Sequence, residues 1–300
     1  MVRSSLFYET IGCFAALLSA CAWSFSSILF RRVGDESSPI GMNVGKCIVG
    51  IIVLGVLLLL IGIKPVSTRD FLFLGISGLL GIAFGDTLFF KALIYLGPKL
   101  TLLLETLGPA VTVILAVIVL HEKPSFLSWI GILLTLAGIN LVLWKDYARM
   151  TKEIKKNRSL GILYALLSVL CIALGIILAK IGIASTSALQ ATFIRFLWAG
   201  IGLTLLGLTS HQLKNWLMPF KDSRLLKLTL FAIFIAIFGG FWLFLVSLKY
   251  IDASIATILN STAPLFILPM TAVILKEKIS LQEIFGATIA VSGVVLIFIK

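Results

Sequence analysis

ETLGPAVTVILAVIVLHEKPS (105–125) and NSTAPLFILPMTAVILKEKIS (260–280) read as one element written twice. At a shift of 155 residues, Pro109 falls on Pro264, Glu122 on Glu277, Lys123 on Lys278 and Ser125 on Ser280. The register extends outward. Gly85 falls on Gly240, Tyr95 on Tyr250, Gly131 on Gly286 and Gly138 on Gly293, about 14 identities over roughly 60 ungapped positions. Leu-on-Leu matches are expected between apolar segments, whereas Pro, Gly, Tyr and Glu-Lys in one register are not. Nearer the N-terminus the shift is 149. There "ALLS" at 16–19 meets "ALLS" at 165–168, Arg31 meets Lys180 and Lys46 meets Arg195. The chain is a duplication.

The repeat is written in membrane language. Of 300 residues, 60% are hydrophobic and 13% charged, and mean hydropathy is +1.13. A soluble domain carries about twice that share of charge, and no soluble fold of this size can hide so much apolar surface. Apolar runs of spanning length occur at 11–31, 40–63, 70–93, 98–120, 125–144, 159–182, 188–210, 225–248, 253–275 and 280–299. Backbone groups in hydrocarbon must pair within their own segment, so each run is expected to be a helix. The expected fold is an all-α integral membrane protein with ten transmembrane helices. Residues 1–145 form the first repeat, 146–158 a charged linker and 159–300 the second repeat. Five spans per half is an odd number, so the halves enter from opposite sides and are inverted repeats. That arrangement recurs in secondary transporters, with a site near mid-membrane between the halves.

The net charge of +12 sits in short loops between apolar runs, where basic residues orient helices, and no soluble basic face is left for nucleic acid. Cys13, Cys21, Cys47 and Cys171 lie in apolar runs without a CxxC, and His121 and His211 fall in separate loops. No metal site is expected. No GxxxxGK[ST] motif is present, and no span contains histidine, which argues against ATP hydrolysis and against an embedded enzyme.

These residues resemble the EamA family of the drug/metabolite transporter superfamily: a proline-bearing helix ending in a Glu-Lys turn, then a Gly-rich final helix, in each half. The resemblance covers essentially the whole chain. It implies a multi-pass protein of the cell (inner, cytoplasmic) membrane that exports amino acids, other metabolites or toxic compounds. It also implies cytosolic termini. A count of Lys and Arg by loop side opposes this, with about seven on the terminal side and about sixteen on the other.

Charges within spans are costly and face a partner or water. Lys46 and Arg195 hold equivalent places in the second and seventh spans, while Asp86 and Glu105 are the acids of the third and fourth. Pairing of Lys46 with Asp86 or Glu105 leaves Arg195 without an acid, because its own half has Phe241 and Asn260 in their places. Arg195 on a cavity would suit a carboxylate or phosphate, and Glu105 there would carry protons. The bland readings are snorkelling of the cations and a helix-orienting ion pair. Asn260, Tyr95, Tyr250, Trp242 and Trp23 complete the candidate substrate-binding set, although aromatics near span ends commonly anchor at the interface. Pro109 and Pro264 are expected as mid-span kinks or hinges. Glu122 and Glu277 read as structural turn residues, with Ser125 and Ser280 as helix caps.

The function these features indicate is secondary transport: export of an amino acid or related zwitterion or anion by alternating access, powered by an ion gradient such as that of protons. No cofactor is expected, the partners are the small-molecule substrate and the bilayer, and a monomer suffices. The alternatives are multidrug export of cationic compounds and, in another class, a passive channel or membrane scaffold.

Overall fold

The computed structural model describes residues 2–105, 107–121, 124–148, 155–274 and 281–298. These are helical almost throughout, with no strand among them. Glu122 and Glu277 fall outside the described residues. Helix α1 is Val2–Val33, α2 Pro39–Ile61 and α3 Thr68–Gly97. The next expected span is divided into α4 (98–105) and α5 (Gly108–Leu120). Helix α6 is Phe126–Ala148, α7 Lys155–Gly182 and α8 Ala188–Thr209. A short α9 (Leu213–Leu217) precedes α10 (Ser223–Tyr250). Helices α11 (Ala253–Asn260) and α12 (Ala263–Ile274) share one span, and α13 (Leu281–Phe298) follows.

Among the described residues, seven segments are long and apolar enough to cross a bilayer, one of them (253–274) across the break between α11 and α12, and the expected spans at 98–120, 125–144 and 280–299 hold apolar helices that do not reach that measure. Their outward faces are apolar. Leu59, Leu60 and Val273 are each at least 75% exposed, as suits side chains that face lipid.

The same caps start equivalent helices in each half. Ser38 accepts from the Gly41 amide at the head of α2, and its counterpart Ser187 accepts from the Gln190 amide at the head of α8. Ser67 caps α3 and its counterpart Asp222 caps α10. Each satisfies amide donors that a helix start leaves free.

Pro109 and Pro264 do not kink the middle of a helix. Each is the second residue of a new helix, α5 or α12, and the break lies just before it at 105–108 and 260–263. Proline disfavours a helix continuing through the residue before it, while its own missing N–H costs nothing in a first turn. A further proline, Pro269, lies inside α12. Gly97, at φ 75°, turns the chain from α3 into α4 in a conformation open to glycine.

The halves interlock. Helix α1 packs on α10, α11 and α12 of the second half, and α7 packs on α3 and α5 of the first. Helix α2 meets α8, α5 meets α11 and α6 meets α13. The packing of α1 on α10 and α12 has its repeat-related counterpart in that of α7 on α3 and α5.

Candidate functional site

The middle of the molecule is built from irregular helix. In α3 the stretch Gly78–Asp86 is a π-helix, and in α10 so is its counterpart Ile235–Trp242. A π-turn leaves carbonyls in need of other donors, and such turns concentrate at functional sites. Ser19 on α1 donates to the Gly240 carbonyl at 2.9 Å, and its counterpart Ser168 on α7 donates to the Gly85 carbonyl at 3.1 Å. The "ALLS" repeat thus supplies one hydrogen bond twice, each time into the opposite half. Asn43 adds donors to the Ile82 carbonyl at 2.7 Å and the Thr87 hydroxyl at 2.9 Å.

Glycines bring α8 onto this stretch. A Cβ on Gly75 would lie 2.6 Å from the Trp198 ring, and one on Gly81 would lie 3.1 Å from Nη2 of Arg195. On the other side of Gly81, a Cβ on Gly175 of α7 would lie 2.9 Å from the Gly81 Cα. Three helices therefore converge where only hydrogen side chains fit, and the Arg195 guanidinium rests over Gly81.

Around this point lies a cavity of about 140 Å³. Both helix breaks open onto it, through Glu105 and Gly108 and through Asn260, Ser261 and Ala263. Asp86 and Gly81 come from one π-stretch, Gly240 and Phe241 from the other. Trp23, Phe89 and Phe244 supply aromatic wall, and Ser19, Thr112, Thr257 and Arg195 complete the polar part. Five residues of this wall carry a buried polar atom with no partner among the described residues: Glu105 (Oε1), Thr112 (Oγ1), Arg195 (Nε), Thr257 (Oγ1) and Asn260 (Oδ1). Orphaned polar atoms are uncommon in a finished interior. Their concentration here sets this wall apart as the candidate site.

The charges divide unequally. Lys46 is fully buried and pairs with Asp86. Its ammonium also lies 4.8 Å from the centre of the Phe241 ring, 5.3 Å from Phe90 and 5.9 Å from Phe196. Lys46 does not line the cavity, whereas Asp86 and Arg195 do. Arg195 is 5% exposed.

Of the residues singled out from sequence, the structure gathers Asp86, Glu105, Arg195, Asn260 and Trp23 on the cavity and puts Lys46 one contact behind it. It places Tyr95, Tyr250 and Trp242 elsewhere. Tyr95 is 39% exposed beside Tyr164, Tyr250 stacks on Tyr8 at 5.2 Å, and Trp242 packs on Phe238 at 6.3 Å. Ser19, Gly81, Phe89, Thr112, Phe244 and Thr257 are lining residues that the sequence reading does not single out. The repeat held a signal for three of them, since Ser19 closes the repeated ALLS, and Phe89 and Phe244 align at the same shift as the prolines.

The sequence profile of the EamA-like transporter family matches this chain twice, over residues 10–144 and 159–299. An uncharacterized inner membrane transporter of Escherichia coli (strain K12), YhbE, is 31% identical over 144 residues. That alignment covers 48% of this chain and 44% of the relative, so less than half of that protein's length is spanned. An uncharacterized transporter of Archaeoglobus fulgidus is 22% identical over 299 residues, covering 95% of this chain and 96% of that one. A crystal structure of a protein with 18% sequence identity superposes with a TM-score of 0.71 over 97% of this chain and 98% of its own, so the fold is shared. With both halves matched and the helices laid out for a bilayer, the chain belongs to the EamA-like transporter family and is a multi-pass protein of the cell membrane.

Proposed function

We propose that this protein is a secondary transporter that exports a small anionic or zwitterionic metabolite, held in the central cavity with its carboxylate or phosphate on Arg195. The observation that carries this reading is the state of Arg195: buried on the cavity wall, its Nε without a partner among the described residues, while Asp86 is paired with Lys46. A buried guanidinium with an N–H left unpartnered is expensive and is kept where a ligand supplies the anion. Size agrees, since a cavity of roughly 150 Å³ takes a benzene-sized guest, and this one is about 140 Å³. Inverted halves meeting at broken helices suit alternating exposure of the site to the two sides. An ion gradient supplies the energy, and one chain holds the complete cavity.

One feature favours a second reading. Glu105 has an unpartnered carboxyl oxygen in a wall that includes Trp23, Phe89, Phe241 and Phe244. Acid with aromatic faces would hold a lipophilic cation, and the protein would then be a multidrug exporter.

The test is thermal stabilisation of purified protein by a metabolite panel, wild type beside Arg195→Ala. A ligand of the folded state raises its melting temperature. Carboxylates and amino acids should stabilise wild type, and Arg195→Ala should weaken them roughly 10- to 100-fold, the worth of a charged hydrogen-bonded contact. Stabilisation by phenyltrimethylammonium alone would replace the first reading with the second.

A further inference from the structure

We infer that Asp86 is a built-in competitor for Arg195, and that Lys46 is a positioning residue that keeps it away. This deepens the proposed function and rests on Arg195 as the anion anchor. Three observations carry it. First, Lys46 and Arg195 are the same repeat position, yet the acid that pairs with Lys46 has no repeat counterpart for Arg195, because Phe241 stands in the place of Asp86. Second, Asp86 borders both cations. It pairs with Lys46 on one side and lines the cavity with Arg195 on the other, close enough to act electrostatically on the guanidinium. Third, Gly81 and Asp86 lie about one turn apart in the π-stretch of α3 and both line the cavity, and Nη2 of Arg195 lies 3.1 Å from where a Gly81 Cβ would be. One turn of α3 therefore separates Asp86 from the guanidinium.

Asp86 is thus an internal carboxylate within reach of the group that is to receive the substrate's carboxylate. Lys46 holds it in a fixed place. The ammonium is fully buried, ringed by Phe90, Phe196 and Phe241, and Phe241 itself forms part of the cavity wall. A lysine that never touches substrate still decides whether the arginine is free. Removing the lysine charge leaves a buried, unpaired carboxylate, which is costly, and Arg195 is the cation beside it. The site then fills with its own acid.

The experiment reads Arg195 directly, by mass spectrometry of its modification by phenylglyoxal, with benzoate stabilisation as the second readout and benzamide as the uncharged control. Wild type and Lys46→Arg should show a reactive Arg195 and stabilisation by benzoate. Lys46→Met should slow Arg195 modification at least 10-fold and lose the benzoate effect. Lys46→Met combined with Asp86→Asn should return both to within about threefold of wild type, because the competitor has gone with its keeper. Lys46→Gln is the second neutral replacement if Lys46→Met does not purify as a monodisperse protein. Unchanged Arg195 reactivity in both neutral variants would overturn the inference, as would a double variant no better than the single one, the result expected of a purely structural lysine. The readouts separate the two levels of argument. Rescue of reactivity without any benzoate effect in wild type would uphold the competition and remove the anion-binding reading.

Discussion

At the residue scale, close packing and proton traffic make separate predictions. Gly175 has no spare space, since a Cβ there would lie 2.9 Å from the Cα and 3.0 Å from the nitrogen of Gly81. Backbone atoms cannot step aside as a side-chain tip can. Gly175→Ala should push α7 away from α3 at a cost of about 1–3 kcal/mol, the usual range for overpacking, seen as a lower melting temperature. Gly108 is the control. Nothing lies within 4 Å of its Cβ position, and the second half already carries alanine at the equivalent place, Ala263, so Gly108→Ala should leave the melting temperature unchanged. Glu105 tests the coupling ion. It is the one cavity acid free of Lys46, and its repeat counterpart is the neutral Asn260. If protons drive export through this carboxyl group, Glu105→Gln in proteoliposomes should still bind substrate but lose the response of transport to an imposed pH gradient. Transport that keeps its full response in Glu105→Gln would end that role for the residue.

At the element scale, what matters is where helices depart from α geometry. The two π-stretches and the two breaks lie at equivalent places in the halves and face one cavity. The Ser19 and Ser168 hydroxyls tie each π-stretch to the first helix of the opposite half. Ser19→Ala and Ser168→Ala should each cost about 0.6–1.7 kcal/mol, the range for interhelical bonds in membranes. The double variant should cost the sum, because the two bonds share no partner. Denaturant unfolding in mixed micelles would show it. These departures mark the limit of what the sequence alone conveys. Spans, caps and repeat register are written in hydropathy, Ser and Pro, and they are legible. Whether Pro109 kinks a helix or begins one depends on the conformation of Leu107 and Gly108, which proline constrains without dictating. A Gly-rich apolar run such as Gly78–Gly85 suits α and π geometry equally, and the donor that favours π, Asn43, lies on another helix.

At the scale of the whole molecule, the same limit applies to the site. That both acids, Asp86 and Glu105, belong to the first half while the cations Lys46 and Arg195 are repeat-related follows from comparing the halves. That the acid pairing with Lys46 is Asp86 and not Glu105 follows only from how α2 meets α3. The aromatics show the converse. Trp23 and Tyr95 look alike in an apolar run, and only the inter-half packing sends one to the cavity and the other to the surface. That packing also shapes how the protein can assemble. Helix α1 finds its main partners in α10, α11 and α12, and α7 finds its own in α3 and α5. Neither half encloses the cavity alone, since Glu105 and Asp86 come from one and Arg195 and Asn260 from the other. Cutting the chain between residues 148 and 155 severs one connection and none of these contacts. The segments 1–150 and 151–300, co-expressed, should therefore copurify through a tag on either one, and the pair should show the same carboxylate stabilisation as the intact chain. Each segment expressed alone should be recovered aggregated or in low yield, because the face of its first helix that the opposite half covers would meet lipid with Ser19 or Ser168 unpaired, at an energetic cost in hydrocarbon. Monodisperse single halves would show instead that each repeat folds by itself and that the interlocking is a late, dispensable step.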